Sequence, residues 1–354
     1  CDERRPACSY CIRSNGTGLC IYPSPAGGGA GAARSESSRR QSSSNSHSSE
    51  LGSVPPGSSG PAFDLLDLTL MSHYTAVTSL SMFAGEPQQK AWQRDIPMQA
   101  GTHALLMHGL LSVAALHLAF LEPDQASVYR PRALYHHDVG IHLYNLEMRN
   151  ITADNSHILF AFGVLLVIWM YASPVVVAQE NRQLHDIIDL MELVRGCRSL
   201  FMLHMQSIAA KPIGSMADVV PRTDSTTAQQ ERSLLAVGRT MAELKRRVSD
   251  AGYERAIEQL RDVLLDSVAR PQDISVVTIW PATVDDEFWS RLKNQESRAV
   301  FVFVHYALVL KRYEAQWWWV RGWSQGIVDA VDHALTDFEK GTLGWETFLA
   351  SMQE

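Results

Sequence analysis

After residue 20 the chain has a single cysteine, Cys197. A body of more than 300 residues with one thiol has no disulfide framework, so it does not read as a stapled secreted protein. An overall excess of basic residues is also missing: the formal net charge is -7, which excludes a protein that coats nucleic acid along its whole length. No convincing set of alternating strands occurs. Val175–Val177 and Ile274–Ile279 are the only short β-like runs, too few for a sheet. No fixed-period repeat stands out, so a regular solenoid is not expected. Residues 23–61 contain no Phe, Tyr or Trp, and 25 of these 39 residues are Ser, Gly or Pro. Such a stretch cannot bury enough apolar surface to offset its ordering entropy. It is expected to be a disordered linker.

What is present divides at this linker. Residues 1–61 hold six Arg and four acids, whereas the remainder holds 25 basic and 34 acidic residues. Four of the five cysteines are Cys1, Cys8, Cys11 and Cys20, spaced C-x6-C-x2-C-x8-C. Two cysteines two residues apart can grip one zinc ion from a tight turn, and flanking cysteines supply further thiolates. Pro6, Asn15, Gly16 and Gly18 stand where the connecting turns are needed. A disulfide framework and a chance cluster are the alternatives.

The string Cys1-Asp2-Glu3-Arg4-Arg5-Pro6-Ala7-Cys8-Ser9-Tyr10-Cys11-Ile12-Arg13, closed by Cys20 and Tyr22, resembles the later part of the fungal six-cysteine zinc binuclear cluster. By that resemblance Cys1, Cys8, Cys11 and Cys20 match the third to sixth cysteines. The first two, and the basic stretch that enters the DNA major groove, have no counterpart. The resemblance therefore implies an N-terminally truncated module over 1–22. It is expected to bind zinc weakly or as one rearranged ion, and to offer Arg4, Arg5 and Arg13 to DNA phosphates rather than base edges.

From Phe63 onward the apolar period is helical, with stripes over Asp64–Phe83, Thr102–Leu121, Ala133–Met148, Ser156–Ala172, Leu184–Met205, Ala228–Val248, Tyr253–Val268, Ser297–Tyr313, Gly326–Phe338 and Leu343–Met352. The fold class expected for 62–354 is all-α. Its segments Trp92…Ile96-Pro97, His103–Leu118, Leu193-Val194-Arg195-Gly196, Trp280-Pro281, His305-Tyr306-Ala307, Trp317-Trp318 and Gly322-Trp323 are similar to the helical regulatory domain of fungal zinc cluster factors, the sterol uptake control group above all. That resemblance implies a nuclear transcription regulator that is not an enzyme. Its expected partners are zinc, DNA, a sterol or other lipid-like ligand, and a second copy of the chain. The rival reading is a stand-alone helical small-molecule-binding protein with a vestigial zinc module. Apolar residues are abundant enough to line a cavity, but the sequence alone singles out no pocket residue.

Several motifs invite other readings. Ile158–Ala178 is uncharged for 21 residues, long enough for a membrane. Ser173-Pro174 is expected to stop it, leaving Ile158–Ala172 as a buried central helix. Gly322-Trp323-Ser324-Gln325-Gly326 fits the hydrolase pattern G-x-S-x-G but lacks a sheet context. His136, His137 and His142 have the wrong spacing for ligands on one helical face, and are expected on the surface or partly buried. Asn15 and Asn150 begin glycosylation sequons without meaning in a nuclear protein. Cys197 reads as a buried thiol.

Overall fold

The computed structural model describes residues 63–177, 183–217 and 227–353, all within the unit Pro61–Glu354. The expected zinc module, linker and cysteine and arginine sites at residues 1–22 lie outside the described residues. Among those described there are helices and turns but no strand, so the all-α expectation holds for the body. The helices are α1 Leu65–His73, α2 Glu86–Lys90, α3 Ile96–Ala100, α4 Ala104–Leu121, α5 Ala126–Glu147, α6 Ser156–Val177, α7 Leu184–Leu203 and α8 Met205–Ala209. Then come α9 Ala228–Arg247, α10 Ala251–Ala269, α11 Val276–Thr283, α12 Asp286–Lys293, α13 Ser297–Val304, α14 Ala307–Lys311, α15 Trp323–Ala334, α16 Asp337–Leu343 and α17 Trp345–Ser351.

Local chemistry sets many of the ends. Asp64 caps α1, Thr227 caps α9 and Thr336 caps α16, each in a reciprocal capping box with Asp67, Gln230 and Glu339. The expected helix Leu343–Met352 is divided at Gly344, which takes φ 85° between α16 and α17, a conformation that favours glycine. Ser297–Tyr313 is likewise two helices, because the chain tightens to i→i+3 bonds at His305 and Tyr306. Short helices α2, α3 and α12 carry too few residues for a stripe to show in the sequence.

Three expectations are corrected. Ser173-Pro174 does not end the central helix, since α6 runs to Val177 with Pro174 inside it. Pro174 lacks the N–H that would bond the carbonyl four residues back, and the helix tolerates that loss where it is packed in the core. Val175–Val177 is therefore helical. Ile274–Ile279 leads into α11, with Ile274, Val276 and Val277 buried, so tertiary packing overrides β propensity. The helix expected from Ala133 begins at Ala126 and accommodates Pro131.

Helix α6 is the centre of the molecule. It packs on α4 and α5 on one side and on α7 and the turn Trp318–Val320 on another. Ile158, Leu159, Ala161, Leu165, Ile168, Tyr171 and Ala172 are all buried. Helices α4 and α6 are each long and apolar enough to cross a membrane, but 78% and 72% of their apolar windows lie inside the fold, as a core helix requires. Glycines allow close approach on the α4–α5 side. A Cβ on Gly140 would stand 2.8 Å from the Phe162 ring, and one on Gly109 would stand 2.9 Å from Leu165.

Two segments far apart in sequence are locked together nearby. Arg195 of α7 donates to the carbonyls of Pro281, at 3.1 Å, and Val284, at 2.7 Å, and pairs with Asp286. Tyr171 of α6 meets Tyr306 hydroxyl to hydroxyl at 3.3 Å, and its carbonyl accepts from the Trp323 indole at 2.8 Å. These bonds satisfy polar groups that burial would otherwise strand.

Candidate functional site

On the α7 side of α6 the helices do not close completely. A cavity of about 270 Å³ remains, with one wall from Phe160, Val164, Val167 and Ile168 of α6 and a second from Val194, Cys197 and Phe201 of α7. Ile279 and Ala282 of α11 form a third wall, and Phe83, Met216 and Trp319 complete the enclosure. The volume lies near the lower end of ligand pockets, which run to roughly 300–1,000 Å³. Among the described residues the only charged side chain at its edge is Arg198, which is exposed.

Polar groups in the lining are few and mostly committed. Thr278 donates to the Ser275 carbonyl and Thr283 to the Ile279 carbonyl, both at 2.8 Å, while Ser275 donates to Asp273 at 2.5 Å. Their oxygens keep acceptor capacity. Burial pushes the Cys197 thiol up to about 12, so it remains uncharged. The Trp319 indole N–H is buried and has no acceptor among the described residues, an uncompensated donor in the lining residue itself. The chemistry of this site is that of an apolar guest with very few hydrogen-bonding groups.

The opposite side of α6 is built differently. His136 and His137 of α5 are buried, contrary to expectation, and only His142 is exposed. His136 Nε2 donates to Asp67 at 2.8 Å, which leaves its Nδ1 to accept from His108 Nδ1, also at 2.8 Å. Asp67 is clamped by Arg132 through two bonds of 2.7 and 2.5 Å. His137 stacks on Trp169 with centroids 3.6 Å apart. The sequence missed these because their partners lie tens of residues away.

Burial pushes Asp67 up, but the hydrogen bonds from Arg132 and His136 outweigh it and hold the carboxylate below its ordinary value. Burial lowers His108 to about 4, reinforced by His136, and lowers His137 and His117 to about 3. These rings are neutral structural groups. The described residues include no group of three or more His, Cys, Asp or Glu placed to hold a metal ion.

The hydrolase-like motif has no elbow. A 3-10 turn, Trp318–Val320, precedes it, and Gly322 at φ 75° starts α15. The Ser324 N–H donates to Glu314 at 2.5 Å, and His333 is exposed with its Nδ1 on the Asp329 carbonyl at 2.6 Å. None of the pocket residues was singled out as pocket lining by sequence reasoning, although Val194 and Cys197 were noticed for other reasons. The available signal was the uncharged face of α6, which does not distinguish a cavity wall from a filled core.

Comparison with known proteins connects this body to a family. Residues 69–245, half of the chain, match the fungal specific transcription factor domain. The chain is 28% identical over 221 residues to the Zn(2)-C6 fungal-type transcription factor afumD of Aspergillus fumigatus, covering 59% of this chain and 52% of that protein. It is 34% identical over 139 residues to sterol uptake control protein 2 of Candida albicans, covering 34% of this chain and 19% of that protein. It is 30% identical over 122 residues to a Zn(2)-C6 fungal-type transcription factor of Gibberella zeae, covering 33% of this chain and 25% of that protein. The chain thus spans about half, a fifth and a quarter of the lengths of these relatives.

Proposed function

The chain belongs to the family of the fungal specific transcription factor domain, and on that premise we propose that it is a nuclear transcription regulator whose helical body responds to a sterol or similar apolar ligand. The observation that carries the ligand reading is the cavity beside α6: apolar on three walls, with one unpartnered indole N–H and a few hydroxyl acceptors. A sterol has the same balance, a rigid hydrocarbon with a single hydroxyl. Its burial would be driven by the apolar area removed from water, and the hydroxyl could accept from Trp319 or donate to Thr278. The relative named for sterol uptake control supports the same choice.

In this reading residues 1–22 form a partial zinc cluster held by Cys1, Cys8, Cys11 and Cys20, with Arg4, Arg5 and Arg13 on DNA phosphates. The family match begins at residue 69, so the zinc and DNA roles rest on the cysteine spacing and on the names of the relatives. The body performs no catalysis in this proposal; its output is a change in the population of a ligand-bound state.

The test is thermal unfolding of the chain across a sterol panel delivered in cyclodextrin. A ligand that binds only the folded state raises Tm with concentration. The variant Ala282→Phe, which projects a ring into the cavity, should lose that rise while unfolding near the parent temperature. A flat response in the parent would remove the sterol. An equal response in both proteins would move the ligand elsewhere.

A further inference from the structure

A second cavity lies away from α6 and has the opposite chemistry. It is a trough of about 430 Å³ between α9, α10, α14 and α17. Arg232, Arg239 and Arg312 all line it, and its lining contains no Asp or Glu. An adjoining cavity of about 350 Å³ continues along the same face of α9, sharing Arg239, Thr240 and Ser351. Glu243, the one carboxylate there, is committed to Arg246 at 2.5 Å and Arg247 at 2.7 Å. Arg239 has a contact of its own, so the charge offered at the trough is that of Arg232 on α9 and Arg312 after α14.

Arg312 is the informative member. Among the described residues no carboxylate stands within ion-pair distance of it, although most arginines of the body with an ion pair find one locally. Its side chain is exposed to solvent at the mouth of the trough, and the protein packed along its stem lowers its pKa from the ordinary value. A guanidinium that lines a trough with no ion pair of its own among the described residues keeps its paired donors for an arriving anion. Arg232 uses one nitrogen on Gln229, at 2.7 Å, and retains further donors. Leu264 and Leu308 give the trough an aliphatic floor, while Ser233 and Thr240 add hydroxyls.

We propose that this trough binds a small, multiply charged organic anion, bearing carboxylate or phosphate groups on a short carbon skeleton. Guanidinium forks match the paired oxygens of both groups. Converging charges of one sign above a low-dielectric floor concentrate such anions. The volume suits a metabolite-sized ligand. Because the walls come from four helices, an occupant would tie α9 to the end of α14 and to α17. The body would then carry two inputs, one apolar beside α6 and one anionic beside α9.

The experiment is thermal unfolding and calorimetric titration of the chain at constant ionic strength, with citrate and pyrophosphate as probes. A saturable rise in Tm with either probe is expected, and the tighter one tells whether carboxylate or phosphate is preferred. Arg312→Gln and Arg232→Gln should each weaken binding about tenfold or more, the usual consequence of losing a charged hydrogen bond. Arg312→Lys, which keeps charge but not the fork, should recover only part of the affinity. Arg261→Gln, at an arginine paired with Asp262 and absent from the trough lining, should bind as the parent does. No saturable binding of either probe, or equal loss in the Arg261 variant, would overturn the site. If Arg312→Gln does not fold, Arg232→Gln alone decides. The sterol response should be unchanged in all these variants, so the two sites fail or stand separately.

Discussion

The two sides of α6 solve the same packing problem in opposite ways. Toward α4 and α5, small residues at Gly109 and Gly140 let the backbones close on Phe162 and Leu165, and Asp67, Arg132, His136 and the Nδ1 of His108 pair with one another. Toward α7 and α11, the rings of Phe160 and Phe201 touch with centroids 5.2 Å apart, and beside them Val164, Val167 and Val194 line a space left open. One uncharged helix therefore acts as a closed seam on one side and as a cavity wall on the other. The difference teaches that buried histidines and carboxylates do not mark the cavity here. They rigidify the side with no room for a guest, and leave the other side free to be apolar.

Acid should break this comparison most strongly. His108, His117 and His137 have folded pKa values depressed from about 6.5 to about 4, 3 and 3. Between those values and 6.5 the unfolded chain binds more protons, so stability falls as pH falls through that window. Each full unit is worth about 1.4 kcal/mol, enough together to bring a domain of ordinary stability, about 5–15 kcal/mol, to its midpoint before pH 4. The loss should begin on the closed side. Hydrogen exchange across a pH series should show α5 opening before α7; simultaneous opening would contradict the asymmetry.

Removing one member of the buried network comes next. Asp67→Ala leaves Arg132 without its bidentate partner and His136 without an acceptor, and is expected to cost about 3–5 kcal/mol in denaturant unfolding. Gly140→Ala on the same side should cost about 1–3 kcal/mol through overpacking against Phe162. The cavity side should tolerate added volume: Ala282→Phe is expected to change stability by less than about 1.5 kcal/mol. Smallest of all, Gly196→Ala on α7 meets no atom within 4 Å and should stabilise by up to about 1 kcal/mol through helix propensity. A Gly140 variant as stable as the Gly196 variant would remove the distinction between the two sides.

The helical class and the central place of α6 were legible because Ile158–Ala172 is apolar all round and stripes recur from Asp64 to the end. The boundaries were less so. Pro174 reads as a stop, yet the helix continues through it to Val177, and Ile274–Ile279 reads as a strand until its burial among helices is seen. Arg195 and the Trp280-Pro281 pair were both noticed as motifs, but nothing in their spacing tells that the guanidinium holds the Pro281 carbonyl. The pocket was not legible at all. Its lining runs from Phe83 to Trp319, and no local window contains a wall. His136 was misplaced for the same reason: its acceptor, Asp67, is 69 residues away.

That spread along the chain has a consequence for how the molecule comes into being. Trp318 donates to Ser81 across 237 positions, and its neighbour Trp319 shares the cavity with Phe83. Contacts of such long range pay a loop-closure entropy before they return any stability, and form late. During synthesis the apolar walls contributed by α6 and α7 emerge long before residue 319 exists to cover them. The growing chain thus carries an open greasy surface through much of its translation. A hydrophobic guest present at that stage would serve as a temporary filler for the missing wall, making the abundance of finished protein, as well as its state, responsive to supply.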